Sequence, residues 1–111
     1  MVTEEVKPVV AEVQPKFSSV IRALDSPLRV GLVKILLERP RSAPDIYQTL
    51  VNSGFDIGDR DTVYKALQML VDANLLEKYY DMNVKRICYR VATKQILIDI
   101  PTLNLTVSNY V

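Results

Sequence analysis

The spacing of apolar residues changes once along this chain. Up to Val71 they recur at intervals of three and four, the period of an α-helix, and beyond Leu75 they fall into short β-rich runs. Helices followed by strands, with no alternation between the two, predict an α+β fold rather than a parallel α/β sheet. At 111 residues the chain is expected to form one such domain.

Four helical stripes are readable, each with its own start and stop. Phe17, Val20, Ile21 and Leu24 share one face of a short helix, which Asp25 and Ser26 end. Ser26 is a natural N-cap and Pro27 a natural first residue, since its missing N–H would lack a partner there anyway. A second helix therefore runs from Pro27 to about Glu38, with Leu28, Leu32, Ile35 and Leu36 inward, until Pro40 ends it. Ser42 caps a third helix. Asp45, three residues on, completes a box-like pair near the positive end of the helix dipole, and Ile46, Tyr47, Leu50 and Val51 face inward before Gly54. Asp59 stands where the N-cap of a fourth helix belongs. Val63, Ala66, Leu67, Leu70 and Val71 make its buried stripe, which turns Arg60, Asp61, Thr62, Tyr64, Lys65, Gln68 and Asp72 toward solvent. Asn74 tolerates the left-handed stop.

Beyond that stop, "LLEKYY" and "KRICYRV" are two strands joined by the polar turn "DMNV", a hairpin. Ile87, Tyr89 and Val91 alternate with Arg86, Cys88 and Arg90, so one face is expected on the helices and the other to carry two guanidinium groups. A three-helix core followed by a β-hairpin wing predicts a winged helix-turn-helix, with recognition helix 59–73 in the major groove and wing 76–91 on the backbone.

Charge distribution agrees only weakly with a polyanionic partner. The formal net charge is +1, from 14 basic and 13 acidic residues, but from Arg60 to Lys94 seven basic residues face four acids. Other classes recede. With no histidine and one cysteine, Cys88, a metal site would need an uncommon donor set, and the commonest general base is missing. Glu4 with Glu5 and Asp59 with Asp61 read as solvation and capping, and no phosphate loop or nucleophile elbow occurs, so neither an enzyme nor a cofactor is expected. No apolar run approaches a membrane span and the acidic N-terminus is unlike a signal peptide, which predicts a cytoplasmic protein.

The runs "ALDSPLRVGLVKILLERPRSAPDIYQTL", "DTVYKALQMLVDANLLEKYY" and "ICYRV" resemble ArsR-like winged-helix transcription regulators, with some likeness to PadR-type regulators in "TVYKAL". The resemblance covers about residues 20–91, with Asp25, Ser26, Pro27 and Arg29 matching the first element, Thr62, Val63 and Leu67 the third, and Tyr89 the last. It implies a regulator of transcription that binds double-stranded DNA. Metal sensing does not transfer, because the paired cysteines or the histidine and acidic ligands of metal-sensing members are absent. The acidic "DIGDRD" before the recognition helix also departs from the pattern.

Three segments follow from this reading: an N-terminal arm at 1–16, flexible or contacting a dimer partner; a DNA-binding domain at 17–91; and an apolar, extended C-terminal tail at 92–111. Ile96, Ile98 and Ile100, then Leu103, Leu105 and Val107, alternate with other residues, and a second copy of the chain is the expected cover, the alternative being the chain's own helices. The expected site comprises Arg60, Asp61, Thr62, Tyr64, Lys65, Gln68, Lys85, Arg86 and Arg90. Tyr64, Lys65 and Gln68 read bases, while Arg60, Lys85, Arg86 and Arg90 hold phosphates. The competing reading is a winged-helix protein-interaction module in a transcription-related assembly. Cys88, flanked by two arginines, is open to two readings, a thiolate favoured by positive neighbours or a small apolar filler.

Overall fold

Side-chain caps set the helix boundaries. The computed structural model describes residues 15–110 and contains α1 (Pro15–Leu24), α2 (Pro27–Glu38), α3 (Ala43–Asn52) and α4 (Arg60–Asp72). Ser26 Oγ accepts the Arg29 N–H at 3.3 Å, Ser42 Oγ the Asp45 N–H at 3.4 Å, and the Asp59 carboxylate the Thr62 N–H at 3.0 Å. Each satisfies a first-turn donor that the helix itself leaves open. The Asp45 carboxylate, expected to complete a box with Ser42, instead faces Arg39 at 3.4 Å and Arg41 at 3.8 Å. Residues 1–14 of the expected arm lie outside the described residues, and residues 15 and 16 open α1.

Two small antiparallel sheets complete the fold. β1 (Arg41–Ser42), β2 (Leu76–Asp81) and β3 (Arg86–Val91) are ordered β1-β3-β2, and β4 (Thr93–Asp99) pairs with β5 (Asn104–Asn109). The run α2-β1-α3-α4-β2-β3 is a winged helix, with β1 as a third strand that apolar spacing did not reveal. Asn74 takes φ 63°, the left-handed stop expected of it.

The core lies where the helical stripes meet the wing. Leu32 and Leu36 of α2, Ile46 and Leu50 of α3, and Val63, Leu67 and Leu70 of α4 are buried, and Leu75, Leu76 and Tyr89 close the space from the wing. Burying one such leucine is worth about 1.5–3 kcal/mol. Four expected placements differ. On α1 the inward face centres on Val20 and Ala23, which rotates Ile21 out to 43% exposure. On α3, Val51 follows the buried Leu50 by about 100° around the helix and is likewise open to solvent. Ile87, expected on the helices, lies near the wing tip and is exposed. Cys88, expected to point into solvent, is buried because β1 covers β3 from the side opposite β2, with both Ser42 and Tyr79 in register with Cys88.

The tail is extended, as its alternation predicts. Ile98 pairs with Leu105 and Ile96 with Val107, so these four share one face of the hairpin. Leu105 is buried on that face, Ile96 and Val107 pack against the core, and β5 rests on α1. The hairpin is anchored at its root: Ala92 N–H donates to Leu75 O and Tyr110 N–H to Ala92 O, each at 3.0 Å, and Thr93 Oγ1 donates to Asn74 O at 3.0 Å.

Two arginines pin the helix corners. Arg29 Nε and Nη2 donate to the Ala23 and Arg22 carbonyls at 2.8 and 3.0 Å, closing the C-terminus of α1 onto α2. Arg41, with only 8% of its side chain exposed, reaches Glu38 at 2.8 Å, Thr49 Oγ1 at 3.4 Å and Ile35 O at 3.5 Å. It joins the end of α2 to α3. Arg41→Ala leaves those acceptors without their buried donor and is expected to destabilise the fold by about 1–3 kcal/mol in urea unfolding. Arg41→Lys should recover only part of that, because an ammonium lacks the planar fork that meets several acceptors at once.

Candidate nucleic-acid interface

The outer face of α4 holds six of the predicted site residues, Lys85 and Arg86 lie at the far end of the β2–β3 hairpin, and Arg90 lies near the hairpin's root, opposite Glu77. Arg60, Asp61, Thr62, Tyr64, Lys65 and Gln68 are all exposed on α4, opposite Val63, Ala66, Leu67 and Leu70, and Lys85, Arg86 and Arg90 are exposed on the wing. The helical period delivers this arrangement without tertiary help.

Partners within the chain engage most of these side chains. Lys65 Nζ lies 3.1 Å from Asp61, one turn earlier, and Gln68 Nε2 donates to Asp72 at 2.8 Å. Thr62 Oγ1 donates to the capping Asp59 at 2.9 Å, and the Arg60 guanidinium stands 5.1 Å from the centre of the Tyr47 ring on α3. On the wing, Arg90 pairs with Glu77 at 2.5 Å and lies over the Tyr79 ring at 4.3 Å. Exposed pairs of this kind are worth about 0–1 kcal/mol each, so an incoming anion competes with them readily. Lys85 and Arg86 differ. Among the described residues neither makes an ion pair, and the carboxylate of Asp81, the cross-strand partner of Arg86, is turned to the N–H groups of Asn83 and Val84.

Sequence reasoning missed Tyr47, Glu77 and Tyr79 as partners of the site. Glu77 was reachable: a four-residue turn between Asp81 and Arg86 sets the register that places Glu77 opposite Arg90. Tyr47 was not, because its contact with Arg60 depends on how α3 crosses α4.

Electrostatics separates two titratable groups. Asp59 is held below the ordinary aspartate value of 3.8, first by the Thr62 N–H and then by the Thr62 hydroxyl. Cys88 moves the other way: burial raises its thiol, Asp81 adds to the effect, and the opposing pull of Arg86 is smaller. Of the two readings of Cys88, burial favours the small apolar filler, because desolvation outweighs the pull of Arg86 toward thiolate.

Comparisons with known proteins bear on the fold. The chain is similar to the structure of the ferric uptake regulator from Pseudomonas aeruginosa with manganese, at 20% identity and a TM-score of 0.54, over 86% of this chain and 75% of that one. It is also similar to the Vibrio cholerae ferric uptake regulator, at 18% identity and a TM-score of 0.43, over 88% and 69%; the first likeness is strong enough to bear on the fold and the second is not. No family model matches the chain, and no curated protein matches it at a significant level. The shared architecture is the winged helix. The manganese belongs to the Pseudomonas protein. In this chain histidine is absent, and among the described residues no three Cys, Asp or Glu side chains gather as a ligand set, so the donors present do not fit such a site. No helix of the described residues is long and apolar enough to cross a membrane.

Two outcomes follow. Because the folded pKa of Asp59 is depressed, its stabilisation is present above the unfolded value of 3.8 and is lost as pH falls through the lowered one. Asp59→Ala should therefore lower the thermal midpoint at neutral pH, and the gap from wild type should close in strong acid. Cys88 in the folded chain should react with a thiol reagent at least about tenfold more slowly than in urea, and equal rates would contradict its burial.

Proposed function

We propose that the chain is a sequence-specific DNA-binding transcription regulator, a binding module rather than an enzyme, that acts as a homodimer of the ArsR-like kind. The observation that carries this is the cation pair Lys85 and Arg86, without an ion pair among the described residues, at the tip of a wing beside a helix whose exposed face is rich in hydrogen-bonding groups. In this reading α4 lies in the major groove, where Tyr64, Lys65 and Gln68 meet base edges and Asp61 and Thr62 offer further polar contacts. Arg60, Lys85 and Arg86 meet phosphates, and Arg90 reaches one by leaving Glu77 and Tyr79. The pairs on α4 are weak enough to exchange for nucleic-acid partners, and Lys65 leaving Asp61 frees a carboxylate that can accept from a cytosine amino group.

Dimerisation in this proposal uses the tail. Leu97, Ile98, Ile100 and Tyr110 are exposed on or beside the β4–β5 hairpin, and a two-stranded sheet leaves backbone groups open along its edges. We further propose a cytoplasmic location.

One observation favours a second reading, a winged-helix module that docks on a protein. The recognition face is largely self-neutralised, with Lys65 bound to Asp61 and Asp59 and Asp72 beside it. Retention on mixed-sequence DNA at low salt supports the first reading, and its absence supports the second.

The salt dependence of binding tests the docking. Lys85→Ala and Arg86→Ala should each weaken binding on every sequence and flatten the slope of log affinity against log salt by about 0.9. Asp61→Ala should instead change sequence preference or raise non-specific affinity. Binding whose slope ignores both wing substitutions would remove the wing from the backbone. Light scattering should give twice 12.6 kDa, and half-sites should lie about 10 bp apart.

A further inference from the structure

The wing tip carries apolar surface that the core leaves uncovered. Met82 is 75% exposed and Val84 55% exposed in the turn, and behind them Tyr80 and Ile87, cross-strand partners, are exposed as well. Four large apolar side chains at one end of a hairpin contribute little to folding.

The support beneath them is built to hold its shape. One oxygen of Asp81 accepts the N–H of Asn83 at 2.8 Å and of Val84 at 3.3 Å, and the Lys85 N–H closes the turn on the Asp81 carbonyl at 2.7 Å. Lys85 adopts φ 57° at that closure, a left-handed conformation uncommon for a non-glycine residue. Directly after Met82 and Val84 come Lys85 and Arg86, which make no ion pair among the described residues. The tip thus offers an apolar projection on a hydrogen-bonded turn, flanked by positive charge.

That combination selects among partners. A dry apolar pocket would accept Met82 but leave Lys85 and Arg86 without counter-charge, whereas a base stack bordered by phosphates complements both features. We propose that Met82 is a wedge: it enters the minor groove beside the major-groove site and partly unstacks one base step, bending the duplex, while Lys85 and Arg86 hold the flanking phosphates. The proposal rests on the DNA-binding reading above and adds to it a deformation of the DNA and a preference outside the bases that α4 would contact. Flexible pyrimidine–purine steps, which unstack at least cost, are the expected sequence at that position.

The test uses the full chain and a duplex that it selects from a random pool. That duplex, about 30 bp long, carries a donor and an acceptor dye at its ends and a fluorescent purine analogue at successive positions beside the site. Wild type should raise energy transfer and brighten the analogue at one pyrimidine–purine step. Met82→Ala changes an exposed tip and should leave the thermal midpoint unmoved, weaken binding by up to about tenfold and abolish both signals, while Met82→Leu retains them. Wild type that binds without bending, or Met82→Ala that bends equally, overturns the wedge and leaves the DNA-binding reading intact. Failure of wild type to select any duplex overturns both. Sedimentation with phosphatidylserine vesicles that depends on Met82, in the absence of DNA bending, would also overturn the wedge and assign the tip to a lipid surface.

Discussion

Two residues between α2 and α3 hold the helices to the wing. Arg41 and Ser42 pair along β3, opposite Tyr89 and Cys88, so β3 becomes the central strand of a three-stranded sheet rather than one arm of a free hairpin. An isolated two-stranded hairpin is marginal in water, and a third strand packed against helices removes that weakness. The same two residues act on the helices. Ser42 caps α3 while the Arg41 guanidinium ties the last turn of α2 to Thr49. The placing of the wing against α2 and α3 therefore draws on a connection only two strand residues long, while α4 meets the wing directly through the turn at 73–75.

Electrostatic self-pairing shapes what the outer surface offers. Lys65 with Asp61, Gln68 with Asp72 and Arg90 with Glu77 keep the face nearly neutral while holding long side chains in defined positions. Each such contact is shallow in energy because solvent screens it. A strong binder of the phosphate backbone would carry more uncompensated charge. A face of this kind favours a partner that supplies specific acceptors over one that offers charge alone, which is consistent with sequence reading and equally with recognition of a protein surface. Lys85 and Arg86, which make no ion pair among the described residues, are what supports the proposed nucleic-acid reading over the protein-docking one.

The tail shows how one apolar segment divides between internal and external uses. Leu105, Ile96 and Val107 serve the core through α1, while Leu97 and Ile100 stay in water. Both covers considered for the tail, the chain's own helices and a second copy, are compatible because they engage different side chains. Gly31 illustrates the tolerance of the interior more narrowly. A Cβ there would meet Phe55 Cζ at 2.8 Å, so the absence of a side chain on α2 lets the loop before α4 fold back against it.

What the sequence by itself determined was the helix starts, the stop at Asn74 and the outer face of α4, whereas the Ser42–Asp45 box and the inward placing of Ile21 and Val51 did not survive packing. Ser26, Ser42 and Asp59 define helix starts because a side-chain oxygen reaches a backbone N–H within one turn, and Asn74 defines a stop because its own φ permits it. The exposed face of α4 follows from helical period alone, which is why all six of its candidate site residues are on the surface where the spacing puts them. Tertiary structure decided whatever depends on a neighbour distant in sequence. β1 is too short for its period to register, yet it pairs beside Cys88, whose burial outweighs the lowering effect of Arg86 on the thiol. Arg41 is buried only because α2 and α3 enclose it, and Tyr47 becomes the seat of Arg60 only through the crossing of α3 and α4. The division follows from range: caps, turns and periodicity act over a few residues, while burial and long-range pairing arise only after the elements have packed.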